Sequence, residues 1–375
     1  MGKLIIVHIG NPNAQKNMAI CEYQQRMGHE IHFIPTRAIQ NEAKGVIYHP
    51  LNIQASKLNL VGSYITTKKM IRKLRPDILH AHHVHGAGWL GAFAQYHPLI
   101  LHVFGSDVLP EQGGLEKVRH RLMTKYALKS ADKIIVTGKH MISSIGEYFH
   151  ISTKKIVWLP RGIDLDLFKP HHDVLACKKK FEITDQFPVV FSPRYLLDSV
   201  YNIDIVIEAI KLAKQQYGNI LLLQLFRQEM NDGSKKQTLL SIIERHGLAR
   251  HVKLIPMVRN HEMPEFYNAS DMCVSVPSSD GFPVTVLEAS GCGTPLIVSN
   301  LPFVTEYIEN NENGLIVPVR DARALADSIV TLAGNRELRD RFSATNRAKV
   351  EKEGDVAKCM DKLLAIYGNV VRRRE

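Results

Sequence analysis

Ser278-Ser279-Asp280-Gly281-Phe282-Pro283-Val284-Thr285-Val286-Leu287-Glu288-Ala289-Ser290-Gly291-Cys292-Gly293-Thr294-Pro295-Leu296-Ile297-Val298 is the stretch on which the fold turns. It follows an apolar run, Met272–Val276, and ends in another, Leu296–Val298, with a helical pattern at Val284–Gly291 between them. Strand, polar loop, helix, strand is the repeating unit of a parallel sheet covered by helices. Asp280 lies in the Gly/Pro-bearing loop and Glu288, eight residues later, in the helix. Pro283 suits a first helical turn, and the N–H groups of Val284 and Thr285 are donors that a helix start leaves unpaired, a natural seat for phosphate. A carboxylate one to two turns in accepts hydrogen bonds from sugar or ribose hydroxyls. The plain alternative is an exposed Asp and a Glu that only adds polarity to a helix.

The same alternation extends in both directions. Strand-length apolar runs occur at Leu4–Ile9, Ile31–Pro35, Ile78–His80, Ile100–Phe104, Lys133–Thr137 and Ile156–Leu159. After a polar break near residues 161–185 they resume at Val189–Ser192, Ile220–Phe226, Val252–Ile255, Met272–Val276, Leu296–Val298 and Leu315–Val317. Helical patterns lie between, among them Ala19–Met27, Leu58–Pro76, Ile203–Tyr217, Lys236–His246, Met263–Asn268, Phe303–Glu309 and Arg323–Leu332. The expectation is α/β, with two doubly wound Rossmann-like domains, 1–170 and 171–345. A final segment, 346–375, holds a helix bracing the first domain and a basic tail. Ligands are expected at the carboxyl ends of the strands, in a cleft between the domains.

Composition narrows the class. The chain has 375 residues, 45% hydrophobic and 23% charged, enough for two ordinary globular cores. Its five cysteines are scattered and odd in number, which favours a reducing, cytoplasmic setting over a disulfide framework. No leader-like or membrane-spanning apolar stretch is read. The formal charge of +11 suits a polyanionic partner, such as a nucleotide diphosphate or an anionic membrane. Neither basic–aromatic interleaving nor zinc-finger spacing favours nucleic acid, and a nicotinamide site lacks its Gly-x-Gly-x-x-Gly. His80, His82, His83 and His85 crowd a strand end without acidic or Cys neighbours, so they read as lining residues and not as metal ligands.

The Asp280–Glu288 stretch resembles the acidic-x7-acidic motif of the retaining glycosyltransferases of family 4, which have the GT-B fold. Gly291-Cys292-Gly293-Thr294-Pro295, Glu306 and Asn313-Gly314-Leu315 fit the same pattern. So do Asp77-Ile78-Leu79-His80-Ala81-His82, Ala131–Thr137 and Arg161-Gly162-Ile163-Asp164, and the resemblance covers nearly the whole chain. It implies transfer of a sugar from a nucleotide-diphosphate sugar, UDP- or GDP-linked, to a hydroxyl of a glycan, glycolipid or small molecule, without a metal ion or bound cofactor. It assigns the transferred sugar to Asp280, with Gly281, Phe282, Pro283, Val284 and Thr285 around the donor, the ribose to Glu288, and a place near the nucleotide to Glu306. Arg194 matches the Arg that clasps the pyrophosphate.

The departures are specific. Asp280 stands where the family usually has Glu. Its Lys-Gly pair is Tyr201-Asn202, so one cation on the diphosphate is missing, and Arg227, after a strand, is a candidate replacement. The family's His-Gly-x-Asp is Phe104-Gly105-Ser106-Asp107. His102, two residues earlier on the same strand face, is the candidate to act for the missing His, with Asp107 beside it. Gly10 and Asn11 follow the first strand and resemble the family's loop that faces the donor phosphate and the acceptor. Tyr64–Arg75 reads as a basic amphipathic helix for an anionic membrane surface. The alternatives are a non-catalytic or weakly active nucleotide-sugar-binding protein of a glycan assembly complex, or a GT-B nucleotide-sugar epimerase or phosphorylase.

Overall fold

The structure, a computed structural model, describes residues 2–40, 42–51, 59–105, 108, 115–194, 199–226, 233–256, 258–280, 283–302 and 304–372. The chain divides into two compact units, Met1–Pro160 with Cys359–Glu375, and Arg161–Lys358.

In the first unit the strands are β1 (Ile5–Gly10), β2 (Glu30–Pro35), β3 (Val46–Tyr48), β4 (Ile78–His82), β5 (Leu99–Val103), β6 (Lys133–Val136) and β7 (Ile156–Trp158). They form one parallel sheet in the order β3-β2-β1-β4-β5-β6-β7. The helices are α1 (Gln15–Arg26), α2 (Asn59–Leu74), α3 (Trp89–Ala94), α4 (Leu115–Ser130) and α5 (His140–Phe149). Successive side chains of a strand point to opposite faces. Val7, Ile9, Leu79, Ala81, Leu99, Leu101 and Val103 accordingly enter one apolar cluster. Their alternates in the same strands include His8, His80, His82 and His102, all buried on the other face.

The second unit repeats the plan. Its strands are β8 (Val189–Ser192), β9 (Leu221–Phe226), β10 (Val252–Pro256), β11 (Met272–Ser275), β12 (Leu296–Ser299) and β13 (Leu315–Val317), all parallel in the order β10-β9-β8-β11-β12-β13. The helices are α6 (Val174–Lys180), α7 (Ile203–Ala213), α8 (Gly233–Arg245), α9 (Met263–Ala269), α10 (Val284–Cys292), α11 (Ala322–Gly334) and α12 (Arg336–Glu353). Val189, Phe191, Leu221, Leu223, Leu225, Cys273, Leu296 and Val298 build one core. Val190, Leu222, Met272, Val274 and Ile297 build the other. Strands buried on both faces read as continuous apolar runs, which is why they were legible as strands.

Several boundaries differ from expectation. The division falls after Pro160, not residue 170, because Ile163 and Phe168 are anchored in the second unit's core. The polar segment read as a loop contains α6, whose N-cap Asp173 accepts from the Ala176 N–H at 2.9 Å and whose Cys177 is buried. Phe303 lies outside the described residues, and within the helix expected over Phe303–Glu309, residues 304–307 form a turn. Asn313 takes over its backbone, with Oδ1 accepting from the Glu309 N–H at 2.7 Å and Nδ2 donating to the Tyr307 carbonyl at 3.0 Å.

The single helix expected in the final segment, 346–375, is the end of α12 followed by a separate helix, α13 (Val356–Val371). The chain breaks at Gly354-Asp355, where Ile163 exchanges backbone hydrogen bonds with Gly354 and Val356 and the Asp355 carboxylate accepts from the Ala357 N–H. From Cys359 onward the chain belongs to the first unit. There Tyr23 donates to the Asp361 carboxylate at 2.8 Å and Gln24 to the Tyr367 hydroxyl at 3.2 Å. Of the basic tail, residues 373–375 lie outside the described residues. No described helix is long and apolar enough to cross a membrane.

Candidate active site

In an open parallel sheet the strand order reverses at one point, and the loops leaving the two strands there part to opposite faces and leave a crevice. In the second unit that point lies between β8 and β11. Arg194 follows β8, and Ser275 and Asp280 end and follow β11, so sequence positions far apart meet. Arg194 Nη2 lies 2.7 Å from Asp280 Oδ2, and the guanidinium also donates to Ser275 Oγ at 3.2 Å. The Gln224 amide donates to the Arg194 carbonyl. Tyr201, in the place of the expected lysine, puts its ring 5.3 Å from the Arg194 guanidinium carbon. The chain thus trades a second cation for an aromatic face that holds the first.

Asn202, in the place of the expected glycine, has φ of 53°. That left-handed conformation costs a Cβ-bearing residue energy, and Asn tolerates it better than most. Its buried amide donates to the Val276 carbonyl at 2.8 Å and to Ser278 Oγ at 2.9 Å, and its Oδ1 accepts from Arg320 Nη1 at 2.9 Å. It therefore ties the start of α7 to the loop that presents Asp280. Asn202→Ala is expected to lose about 3 kcal/mol of stability, from the left-handed backbone and the partners left unpaired together. Asn202→Gly should lose less, because it keeps the backbone freedom. Urea unfolding of the two variants side by side measures the difference.

Helix α10 starts just beyond Asp280. Pro283 is its N-cap, with extended backbone and no side-chain cap, so its first N–H groups, those of Val284 and Thr285 included, are left to a ligand or solvent. The Thr285 hydroxyl is buried and has no hydrogen-bond partner among the described residues. Glu288 lies one turn on, only 7% exposed, and accepts from the Tyr267 hydroxyl at 2.8 Å. Burial pushes its carboxyl up from 4.5 to about 7, against the Tyr267 hydrogen bond and the Arg194 charge, both of which pull it down. Glu306 sits half-buried in the turn after β12. Gly281, Phe282, Arg227 and Asp107 lie outside the described residues.

The first unit's reversal lies between β1 and β4. Gly10 ends β1 so tightly that a Cβ would stand 3.1 Å from both Asn17 Nδ2 and His82 Cβ. Asn11 accepts from the Asn17 amide through its carbonyl and from the Asn13 N–H through its side chain. Helix α1 follows, with no side-chain cap and no acid in its first turn. Lys16, in that turn, places its ammonium 3.5 Å over the Phe104 ring.

His102 is 5% exposed, and its ring stacks on His80 and Phe104. It therefore belongs to a buried histidine group and has little open surface with which to replace the family's histidine. Within that group the polarity can be traced. His82 Nε2–H donates to His8 Nδ1 at 2.8 Å, and His8 Nε2–H to Gln24 Oε1 at 2.8 Å. Gln24 donates to Tyr367, whose hydroxyl donates to His80 Nδ1. Burial lowers His8 to about 4 and His80 and His82 well below the ordinary value, so all three are neutral. Ring nitrogens of His8, His80 and His82 lie within 4.8 Å of one another, close enough for a transition-metal ion. Among the described residues no Asp, Glu or Cys joins that group of ligand atoms, and two of its nitrogens already bond each other. His83 and His85, expected with them, instead meet edge to face, and His85 lies against Trp89 and His120.

Sequence reasoning missed Tyr267, Ser275 and Arg320. Ser275 ends a strand beside the reversal, a usable signal, whereas Tyr267 and Arg320 reach the site through tertiary packing alone.

Two family descriptions match consecutive parts of the chain: Glycosyltransferase Family 4 over residues 17–167 and Glycosyl transferases group 1 over residues 176–349. The chain belongs to this family of glycosyltransferases. An uncharacterized glycosyltransferase of Methanocaldococcus jannaschii is 24% identical over 88% of this chain and 86% of its own. A D-inositol 3-phosphate glycosyltransferase of Xylanimonas cellulosilytica is 23% identical over 80% and 73%. HepE of Anabaena, solved with UDP, superposes with a TM-score of 0.83 at 15% identity, over 98% of this chain and all of that one, and has also been solved with UDP-glucose. This glycosyltransferase has the two Rossmann-like units of the GT-B fold.

Proposed function

We propose that this glycosyltransferase moves a sugar from a UDP- or GDP-linked donor to a hydroxyl of a glycan, a glycolipid or a small-molecule acceptor, with retention of anomeric configuration. The observation that carries the reading is the meeting of Arg194, Asp280 and the uncapped α10 N-terminus at the reversal of the second sheet, with Glu288 buried one turn behind. HepE's complexes with UDP and UDP-glucose support a nucleotide-sugar donor, and the name of the Xylanimonas relative supports a hydroxyl-bearing acceptor.

As the bond from the anomeric carbon to the diphosphate oxygen breaks, that oxygen takes the electron pair. Negative charge therefore grows on the leaving group. Arg194, held in place by Asp280, Ser275 and Tyr201, stabilises it, together with the Val284 and Thr285 N–H groups. None of these three donors has to reorganise as the charge develops. Asp280 contacts the transferred sugar and Glu288 the ribose, Glu306 lies near the nucleotide, and Gly10 and Asn11 form the anion-facing edge of the first unit. The first unit takes the acceptor, and the transfer uses no metal ion. Two carboxylates acting as a glycosidase pair are rejected, because Asp280 is bound to Arg194 and Glu288 to Tyr267.

The missing lysine at Tyr201 favours a second reading, a protein that binds the donor and turns it over weakly. Release of nucleoside diphosphate from a panel of UDP- and GDP-sugars, with simple acceptors, separates the two. Turnover of one donor, reduced at least about 100-fold by Arg194→Ala, is expected. Binding without release would support the second reading, and neither binding nor release would reject both.

A further inference from the structure

The first unit carries a surface that donor chemistry does not use. Ile65 on α2, Phe93 on α3, and Val118, Leu122 and Tyr126 on α4 are five of the thirteen large apolar side chains exposed among the described residues. Single exposed apolar residues are ordinary, but a cluster marks a contact. These form one surface. Helix α3 packs on both α2 and α4. The Phe93 ring lies 4.7 Å from Tyr64 on α2 and 5.1 Å from Tyr126 on α4. Val118, Leu122 and Tyr126 recur every four residues, so they share one side of α4, and Leu122 is 63% exposed.

Basic residues border this surface. Helix α2 contributes Lys68, Lys69, Arg72 and Lys73 with no acid in its sequence, and α4 contributes Arg119, Arg121, Lys125 and Lys129. Apolar side chains among cations, spread across three helices, match the two layers of an anionic lipid surface: headgroup charge outside and acyl chains just beneath. A protein partner would need acids and an apolar patch in matching positions, whereas an anionic bilayer presents both everywhere.

We propose that the outer face of α2, α3 and α4 seats this glycosyltransferase on an anionic bilayer. The proposal rests on the transferase reading only in making the acceptor lipid-linked; the surface itself stands on the exposed residues. The probe is co-sedimentation of the full chain with vesicles of phosphatidylcholine and phosphatidylglycerol, against phosphatidylcholine alone. Binding to the anionic vesicles that weakens steeply with salt is expected. K69A/R72A/R121A should bind about tenfold or more weakly. V118S/L122S should lose about tenfold while keeping the salt dependence. Circular dichroism and UDP-sugar binding serve as controls for folding and for the donor site. No preference for anionic vesicles, or variants that bind like the wild type, would overturn the proposal. So would concentration-dependent self-association of the wild type that the apolar variants abolish, since a second copy would then be the occupant. Failure of vesicle binding with intact UDP-sugar binding rejects the surface alone, and the converse rejects the donor reading alone.

Discussion

Glu288→Gln is expected to be more stable than the wild type above pH 7 and no more stable below pH 4.5, while holding the donor about 10–100-fold more weakly. The sign follows from burial. The carboxyl ionises near 4.5 when unfolded and at about 7 when folded, so between these values the folded state binds more protons and stability falls as pH rises. Above about 7 the folded protein carries a buried carboxylate at a cost of about 3 kcal/mol, which the neutral amide avoids. Glutamine keeps an acceptor for Tyr267, so the gain should be about 1–3 kcal/mol. Thermal unfolding of both proteins across this range measures it. The ionised form accepts ribose hydroxyls best, so the wild type's KM for donor should fall as pH rises through about 7. The site would then trade stability for grip. A variant no more stable than the wild type at high pH would show that Glu288 is not destabilised by its burial.

The histidine group of the first unit should act in the opposite direction. The three rings are held neutral by burial, with folded values below the unfolded 6.5, so the stability they contribute is complete above 6.5. For His8 it is lost as pH falls from 6.5 through about 4, and amounts to about 3 kcal/mol. Protonating His8 would also break the bond in which its Nδ1 accepts from His82. In the Glu288→Gln background, where the opposing term is gone, unfolding should show destabilisation across that window, and adding His8→Gln should make it shallower. An unchanged slope with His8→Gln would place the acid sensitivity elsewhere.

The two sheets were legible in sequence because doubly buried strands leave uninterrupted apolar runs. The short edge strand β3 was not, since its run is only three residues, Val46–Tyr48, and none of them is buried. Helix α4 was missed because Val118 and Leu122 point outward, which blurs the apolar stripe that marks a packed helix. The Asp280–Glu288 spacing was readable, and so was Arg194 after its strand. Their mutual arrangement was not: the Arg194–Asp280 salt bridge, the Tyr267 bond to Glu288 and the aromatic face at Tyr201 depend on residues brought together only by folding. At Asn202, which stands in the place of the family's glycine, the backbone is left-handed, a conformation Asn tolerates better than most residues.

The central claim is that the second unit grips a nucleoside diphosphate between Arg194, the α10 N-terminus and Glu288. Calorimetric titration of UDP and GDP into the wild type, Arg194→Ala and Glu288→Ala tests it most directly. Saturable binding of one nucleotide to the wild type, weakened about tenfold or more by each substitution, is the predicted result. Binding that both folded variants retain at wild-type strength would contradict it.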